Sequence, residues 1–547
     1  MTRSMVRLIV VSMAAFAAAG VVLAQSEFSA DRIKAHVTFL ADDLLEGREA
    51  GTRGHELAAR YVASQFALMG VKPAGEKETY FETVDLAEVD PVGATPTLTI
   101  TTPRGVQTLT HKKTALLFGA MNGGTVDVRA PMVFVGYGMQ DSTLGYDDYA
   151  GLDVRGKVVV ALWDAPKGLD SEIGAHLRTE QRRVAAAHQA AAMVLVLTRQ
   201  SATAFPWEMV LRFGDEPTTT WVQKDGAVFD PGVGLKAGGF IDPAVAPSLF
   251  EGAPQTLAQV LDEADRVGGR PKGFPLKSAA EIKVETKVRR FSSPEVIGVI
   301  EGSDPVLKGE YIALMAHADH IGMKPAGSGD RINNGALDNA AGTATLIEVA
   351  RAFATAPQKP RRSVLVVANT AEEKGLLGAE YFAHYPTVPI ERVVAAIDLD
   401  MPLLLYDFTD VVAYGSTHSS LETAFQRAAV GMGVKLSPDP MPEQGIFVRS
   451  DHYPMVKAGV PGVMLATGMA NGGQDAWNKF LATNYHQPSD DLSQSIIWSA
   501  GAKFAELNYR VVRELANADT PPRWYANDYF GNLFASKATK VPRPAGR

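Results

Sequence analysis

The chain has 547 residues, 46% of them hydrophobic and 21% charged, which is ordinary for a globular protein but too long for one core. Its formal charge of -8 leaves no basic excess of the kind nucleic acid demands, so no nucleic-acid partner is expected. It contains no cysteine, which excludes disulfides and a cysteine-linked lipid anchor.

The first stretch, "MTRSMVRLIVVSMAAFAAAGVVLAQSEF", sets Arg3 and Arg7 before an apolar run, Leu8 to Ala24, that ends in small residues. This is the form of a secretory leader, residues 1–24, cleaved after Ala24, the alternative being an uncleaved membrane anchor because the run is close to spanning length. A cleaved leader implies a periplasmic or secreted protein with no membrane attachment, because no second long apolar run follows. Ser29 offers an N-cap for a first helix. From His55 to Met69 apolar residues recur at helical spacing, and Gly70 ends that helix. His36 and His55 read as surface or cap histidines.

Between Val84 and Ala120 the pattern alternates, as in "TPTLTITT" and "TALLFG", which predicts strands. Two further strands, "MVFVGYG" and "KVVVALW", flank a polar, Gly-rich loop, and "RRVAAAHQAAAMVLVL" reads as a helix running into a strand, with His188 structural. From Pro206 to Pro275 the sequence is rich in Gly and Pro around one helix, "QTLAQVLDEADRV". A strand pair, "EIKVETKVRRF" and "EVIGVIEG", is expected next. Strand–loop–helix units then repeat: "EYIALMAHADH", "TATLIEVARAF", "SVLVVAN", "GAEYFAHY", "VVAAIDLDM". Strands alternating with helices predict a largely parallel sheet, whose catalytic residues gather at the strands' carboxyl ends. The basic tail after the last helix carries aromatics that should dock part of it.

The later strands end in a consistent way. "ALMA" runs into His317 and Asp319, "NNGAL" into Asp338, "VLVVANTA" into Glu372 and Glu373, and "VVAAI" into Asp398 and Asp400, while the loop "NYHQPSDD" offers His486. If the strands are neighbours, these groups share one rim, and its carboxylates repel one another unless a cation lies among them. A divalent metal pair meets that need, and mixed imidazole and carboxylate donors suit zinc better than magnesium or calcium. Adjacent Glu372 and Glu373 can then divide the work, one ligating and the other taking a proton from water.

The motifs "AHADHIG", "NNGALDNAAGTATLIEVARAF", "RRSVLVVANTAEEKGLLGAEYF", "DLDM", "RSDHYPMVKAGVPGVML" and "YHQPSDD" together resemble the M28 zinc metallopeptidases, densely over about residues 287 to 515. The stretch "GYDDYAGLDVRGKVVVALWDAP" resembles a protease-associated (PA) domain. The resemblance implies a three-layer α/β/α sandwich around a central mixed, largely parallel sheet, with an inserted mainly-β PA domain. The expected division is a leader at 1–24, the first part of the peptidase domain at 25–124, the insert at 125–265, the catalytic region at 266–520 and a tail at 521–547.

By the same resemblance His317 and Asp400 would bind one zinc, Glu373 and His486 a second, and Asp338 would bridge them. Glu372 would be general base and acid, Asp319 would orient the His317 ring, and Tyr485 would face the tetrahedral oxyanion. Two positions depart from relatives, which often read "GADDN" where Leu337 stands here and "NLDM" where Asp398 stands. The latter is expected to be a rim carboxylate paired with Lys or Arg, or else to bear on metal charge or the substrate amine. His320, His384 and His418 are not expected to ligate, and His452 is expected to support the site or the fold.

The implied activity is that of a dizinc aminopeptidase acting on peptides with a free N-terminus. Glutamate-carboxypeptidase-like or dipeptidase activity and one-zinc glutaminyl-cyclase acyl transfer are the alternatives. A carboxypeptidase should present an arginine cluster to its substrate carboxylate; Arg449 is one candidate, without an evident companion. The sequence leaves oligomeric state open.

Overall fold

The computed structural model describes residues 28–92, 96–214, 217–327 and 329–544. The expected leader lies outside the described residues. Among the described residues, no helix is long and apolar enough to cross a membrane.

The catalytic region is built on six principal strands: β1 (Phe274–Ile300), β2 (Tyr311–His317), β3 (Ser363–Asn369), β4 (Val393–Asp398), β5 (Asp410–Tyr414) and β6 (Gly462–Thr467). Their spatial order is β1-β3-β2-β4-β6-β5. The four inner strands run parallel, and β1 and β5 are antiparallel to their neighbours. The inner strands are apolar on both faces, as a sheet covered by helices on each side requires. Alternate residues divide cleanly between two cores. Ile312, Leu314, Val364, Val366 and Ile397 join one core, whereas Ala313, Met315, Leu365, Val367 and Ala396 join the other. Helices α1 (Ala30–Leu40), α2 (Arg53–Met69), α3 (Ala341–Thr355), α5 (Leu421–Val430) and α7 (Trp498–Asn517) cover the first face, and α4 (Leu377–His384) and α6 (His452–Lys457) cover the second. The architecture is therefore the three-layer α/β/α sandwich around a mixed sheet.

The expected strand pair over 281–302 is instead one strand, β1. "SSP" reads as a break, yet Pro294 lies where β1 pairs with the strand Phe81–Pro91 along one edge and carries no partner strand on the other. Sheets tolerate proline at such an open edge. β1 spans both halves of the molecule: residues 296–300 pair with β3, and residues 274–286 pair with the strand Gly124–Phe134.

That second half holds its own core. Strands Gly124–Phe134, Val158–Trp163, Ala192–Leu197 and Ala237–Ile241 lie parallel in turn, and Ala115–Phe118 closes on the last antiparallel. Leu98, Leu117, Val128, Val160, Val194 and Ile282 share one apolar cluster. The boundaries expected at 124/125 and 265/266 therefore cut through this core, because the strands at 97–118 and the first half of β1 are packed into it. The tail is docked by its aromatics, as expected. Trp524 and Phe530 are buried against Phe447 and Tyr453 of the catalytic region and Ala175 of the second half.

The histidines read as surface groups, His36 and His55, are both buried. His36 Nδ1 lies 2.9 Å from the Tyr61 hydroxyl, and His55 Nε2 lies 3.0 Å from the Pro294 carbonyl oxygen, a partner 239 residues away that no local pattern reveals.

Candidate active site

The parallel strands deliver the expected residues to one rim. His317 closes β2 and is in register with Asn369 at the end of β3, three residues before Glu372. β4 ends at Asp398, two residues before Asp400. Asp338 sits in the short turn Ala336–Ala340 ahead of α3. That turn is tied to the loop bearing His486, because the Asp490 carboxylate accepts from Leu337 N–H at 3.1 Å and Asp338 N–H at 3.0 Å.

All five expected ligands come together. His317 Nε2 lies 3.1 Å from Asp400 Oδ1 and 3.4 Å from Asp338 Oδ1. The other Asp338 oxygen, Oδ2, is 3.3 Å from His486 Nε2, which is itself 3.1 Å from Glu373 Oε2. One carboxylate thus stands between two imidazole–carboxylate pairs, {His317, Asp400} and {His486, Glu373}. Potential donor atoms of His317, Asp338 and Glu373 all lie within 4.8 Å of one another.

The two adjacent glutamates have opposite proton affinities. Burial, reinforced by Asp400, Glu373 and Asp451 and opposed by His317, raises the Glu372 carboxyl well above its usual range. Burial acts in the same sense on Glu373, but His486 and His320 outweigh it and bring that carboxyl down to about 2. One glutamate is held as an anion and the other is a strong proton acceptor, a separation typical of catalytic carboxylates.

The donor set fits a divalent cation. No Lys or Arg among the described residues hydrogen-bonds to Asp338, Glu372, Glu373 or Asp400. His486 Nε2 is buried without a hydrogen bond of proper geometry. Although burial disfavours a charged imidazole, Glu373 and Asp338 drive His486 up to about 11, and Glu372 and Asp400 raise His317 well above its usual value. The site concentrates negative charge in a way that protons on two imidazoles only partly answer, and imidazole with carboxylate is the donor chemistry of zinc.

Of three neighbours, Asp319 and Asp398 meet other partners than expected and His320 supports the site from outside the expected ligand set. The Asp319 side chain does not reach the His317 ring closely; its main-chain oxygen lies 3.2 Å from Nδ1 and its carboxylate 3.8 Å away. That carboxylate instead accepts from the N–H groups of Glu372 and Glu373 at 3.2 and 3.4 Å, fixing the turn that aims the two glutamates. Asp398 meets no Lys or Arg. It is fully buried and accepts from Ser450 Oγ at 2.6 Å and His452 N–H at 3.2 Å, so the strand end is packed behind the site. His320, set aside as a non-ligand, lies with Nδ1 2.6 Å from Glu373 Oε1 and so orients a candidate ligand.

Sequence reasoning missed Asp490, although "YHQPSDD" contains it, and also Arg48 in "LEGREAGTRG". Arg48 is buried and donates to the carbonyl oxygens of Leu40, Asn334, Gly335 and Ala318, the last at 3.0 Å. It bolts the loop after His317 to the turn before Asp338.

The cluster opens into a cavity of about 300 Å³. Glu372, Asp400 and Tyr485 line it, and the Tyr485 ring stacks on His486 at 3.9 Å between centroids. Met401, Tyr414, Met464 and Trp477 form apolar walls. Phe205 and Met209 from the second half of the molecule line the same space.

Residues 295–512 match the family model described as Peptidase family M28. A mouse protein, "Aminopeptidase NAALADL1", is 31% identical over 140 residues, which covers 24% of this chain and 17% of that protein. A "Vacuolar membrane protease" of Lachancea thermotolerans is 31% identical over 154 residues, 27% of this chain and 14% of that protein. The chain thus spans under a fifth of the length of these curated relatives. The solved structure of the aminopeptidase from Aneurinibacillus sp. strain AM-1 shares the fold, with a TM-score of 0.51, 19% identity, and coverage of 95% of this chain and 98% of that one. The family match spans β3, β2, β4, β6 and every residue of the carboxylate–imidazole cluster, so residues 295–512 carry the pattern of peptidase family M28.

Proposed function

We propose that this chain is an exported aminopeptidase that uses two zinc ions to remove N-terminal residues from peptides. The observation that carries the reading is the placement of Asp338 between the His317–Asp400 and His486–Glu373 pairs, with the proton-accepting Glu372 beside them in the cavity. Asp338 would bridge the ions, each pair would hold one, and the cavity beside them would receive the N-terminus of the substrate. A zinc pair held there supplies Lewis-acid polarisation of the scissile carbonyl and acidifies water toward neutrality.

The chain's own residues do the rest. Glu372 accepts a proton from the attacking water as the O–C bond forms, then delivers it to the amide nitrogen as the C–N bond breaks. Asp319 keeps the Glu372–Glu373 turn in place by holding both N–H groups. The Tyr485 hydroxyl donates to the developing oxyanion. The insert, PA-like in sequence, roofs the cavity through Phe205 and Met209 and excludes bulk water and folded proteins.

The test is hydrolysis of leucyl anilide and its N-acetyl analogue, with zinc content measured on the same samples. About two zinc ions per chain, turnover of the free-amine substrate alone, and loss of turnover with a chelator are expected. Equal cleavage of the N-acetyl analogue would overturn the aminopeptidase assignment.

A further inference from the structure

The cavity does not end at the insert. Ala204, Phe205 and Gln444 line both it and a second cleft of about 400 Å³, which leads outward between the insert and the loop at 442–445. Arg178, on the helix Ser171–Thr179, stands in the wall of this second cleft. Its guanidinium carbon lies 4.8 Å over the Trp163 ring, and Trp163 in turn meets Phe205 edge-on at 5.1 Å. A continuous path therefore runs from the carboxylate–imidazole cluster past Phe205 to Arg178.

Arg178 differs from the other charges along this path. It is half-buried, yet no carboxylate among the described residues hydrogen-bonds to it. The cation beside it, Lys167, is paired with Asp265 at 2.8 Å. Of the acids in the cleft, Asp164 accepts from Ala165 N–H at 2.8 Å and from the Thr198 hydroxyl and stands near enough to favour the Arg178 charge without a hydrogen bond to it, and Glu443 is exposed at the rim. Arg449, which lines the first cavity near Tyr485, is close enough for the two guanidinium charges to oppose one another. A planar fork held on an aromatic ring, with its donors unused and a second cation nearby, is built for a carboxylate.

We propose that this cleft is an anion subsite in which Arg178 binds the free C-terminal carboxylate of a short peptide whose N-terminus occupies the carboxylate cluster. The substrate then spans two complementary poles, an ammonium group among acids at one end and a carboxylate on arginine at the other. Short peptides with both termini free are the substrate class this selects. The inference rests on the aminopeptidase reading and adds to it a preference at the far end of the substrate.

The experiment compares a leucyl peptide series, from dipeptide to pentapeptide, as free acids and as C-terminal amides, using the zinc-loaded full chain. For the length that fits, wild type is expected to favour the acid over the amide by about tenfold in kcat/KM, carried by KM. Arg178→Gln should bring that ratio close to unity, and Arg178→Lys should keep part of it, because the charge remains while the fork is lost. Amide turnover in the same preparation reports that each variant is folded. An acid-to-amide ratio that Arg178→Gln leaves unchanged at every length would overturn the subsite while leaving the aminopeptidase reading intact. Failure of wild type to cleave leucyl anilide would instead overturn the reading beneath both.

Discussion

Two buried histidine–carboxylate clusters in this protein look alike on a list of residues and differ in balance. In one, His418 lies between Asp528 and Glu172, with ring nitrogens 2.7 and 2.6 Å from their oxygens, and Arg543 reaches Asp528 at 3.7 Å. Both nitrogens are used, two cationic groups answer two acids, and the cluster joins the catalytic region, the tail and the insert. In the other, His317 and His486 face Asp338, Glu372, Glu373 and Asp400, His486 Nε2 makes no proper hydrogen bond, and the space opens into a cavity. A balanced, closed cluster holds parts together. An acid-rich, open one has capacity left for a cation and a substrate.

The contrast breaks most sharply if the carboxylates at the rim are expendable. Asp338→Ala should remove most bound zinc and all measurable turnover, because it takes a donor from both pairs at once. Retention of two zinc ions would refute the bridging role. Glu372→Gln should keep the metal and lower kcat by about 1000-fold, the scale of a lost general base. Full turnover in that variant would move the base elsewhere.

His418→Asn tests the other side. It strands Glu172 and Asp528 in a buried setting, which should cost about 3 kcal/mol of stability in chemical denaturation while leaving zinc content and turnover of the folded fraction near wild type. A loss of zinc with no loss of stability would erase the distinction between the clusters. The same residue sets a pH dependence. Against the pull of burial, Asp528 and Glu172 push His418 up from 6.5 to about 10. The folded state therefore binds this proton more tightly than the unfolded chain does. The stabilisation is complete below pH 6.5 and declines as pH rises toward 10. Denaturation at pH 7 and pH 10 should show a drop in wild type that is largely absent in His418→Asn.

The two clusters were also unequally legible. Three of the acidic groups follow strand ends, so "AHADH", "NTAEE" and "DLD" announce the site once the strands are read as neighbours, whereas Asp338 sits in a turn ahead of α3. The His418 cluster gives no such signal, because its acids lie 110 and 246 residues away on the tail and the insert. Arg48 and Asp490 were hidden for a related reason: they act on backbone groups of other loops, and backbone partners leave no trace in side-chain pattern. The run through Pro294 was misread because a local break signal takes no account of which strand edge is unpaired. The family resemblance pairs Asp319 with His317, whereas the fold brings the N–H groups of Glu372 and Glu373 nearer to its carboxylate.

The smallest expected effect concerns the border between the two halves. Phe205 comes from the second half of the molecule yet lines the same cavity as Met401, Met464 and Trp477. If the insert contributes to substrate binding, Phe205→Ala removes apolar surface from the bound state and leaves Glu372 and its neighbours untouched. Burial of part of an aromatic ring is worth about 1 kcal/mol, so KM for leucyl and phenylalanyl anilides should rise about fivefold with kcat nearly constant. An alanyl substrate, with less surface to lose, should change less. Equal KM values for all three would mean that the insert shields the site without touching what enters it, and a fall in kcat without a rise in KM would mean that Phe205 acts on the catalytic groups through the fold.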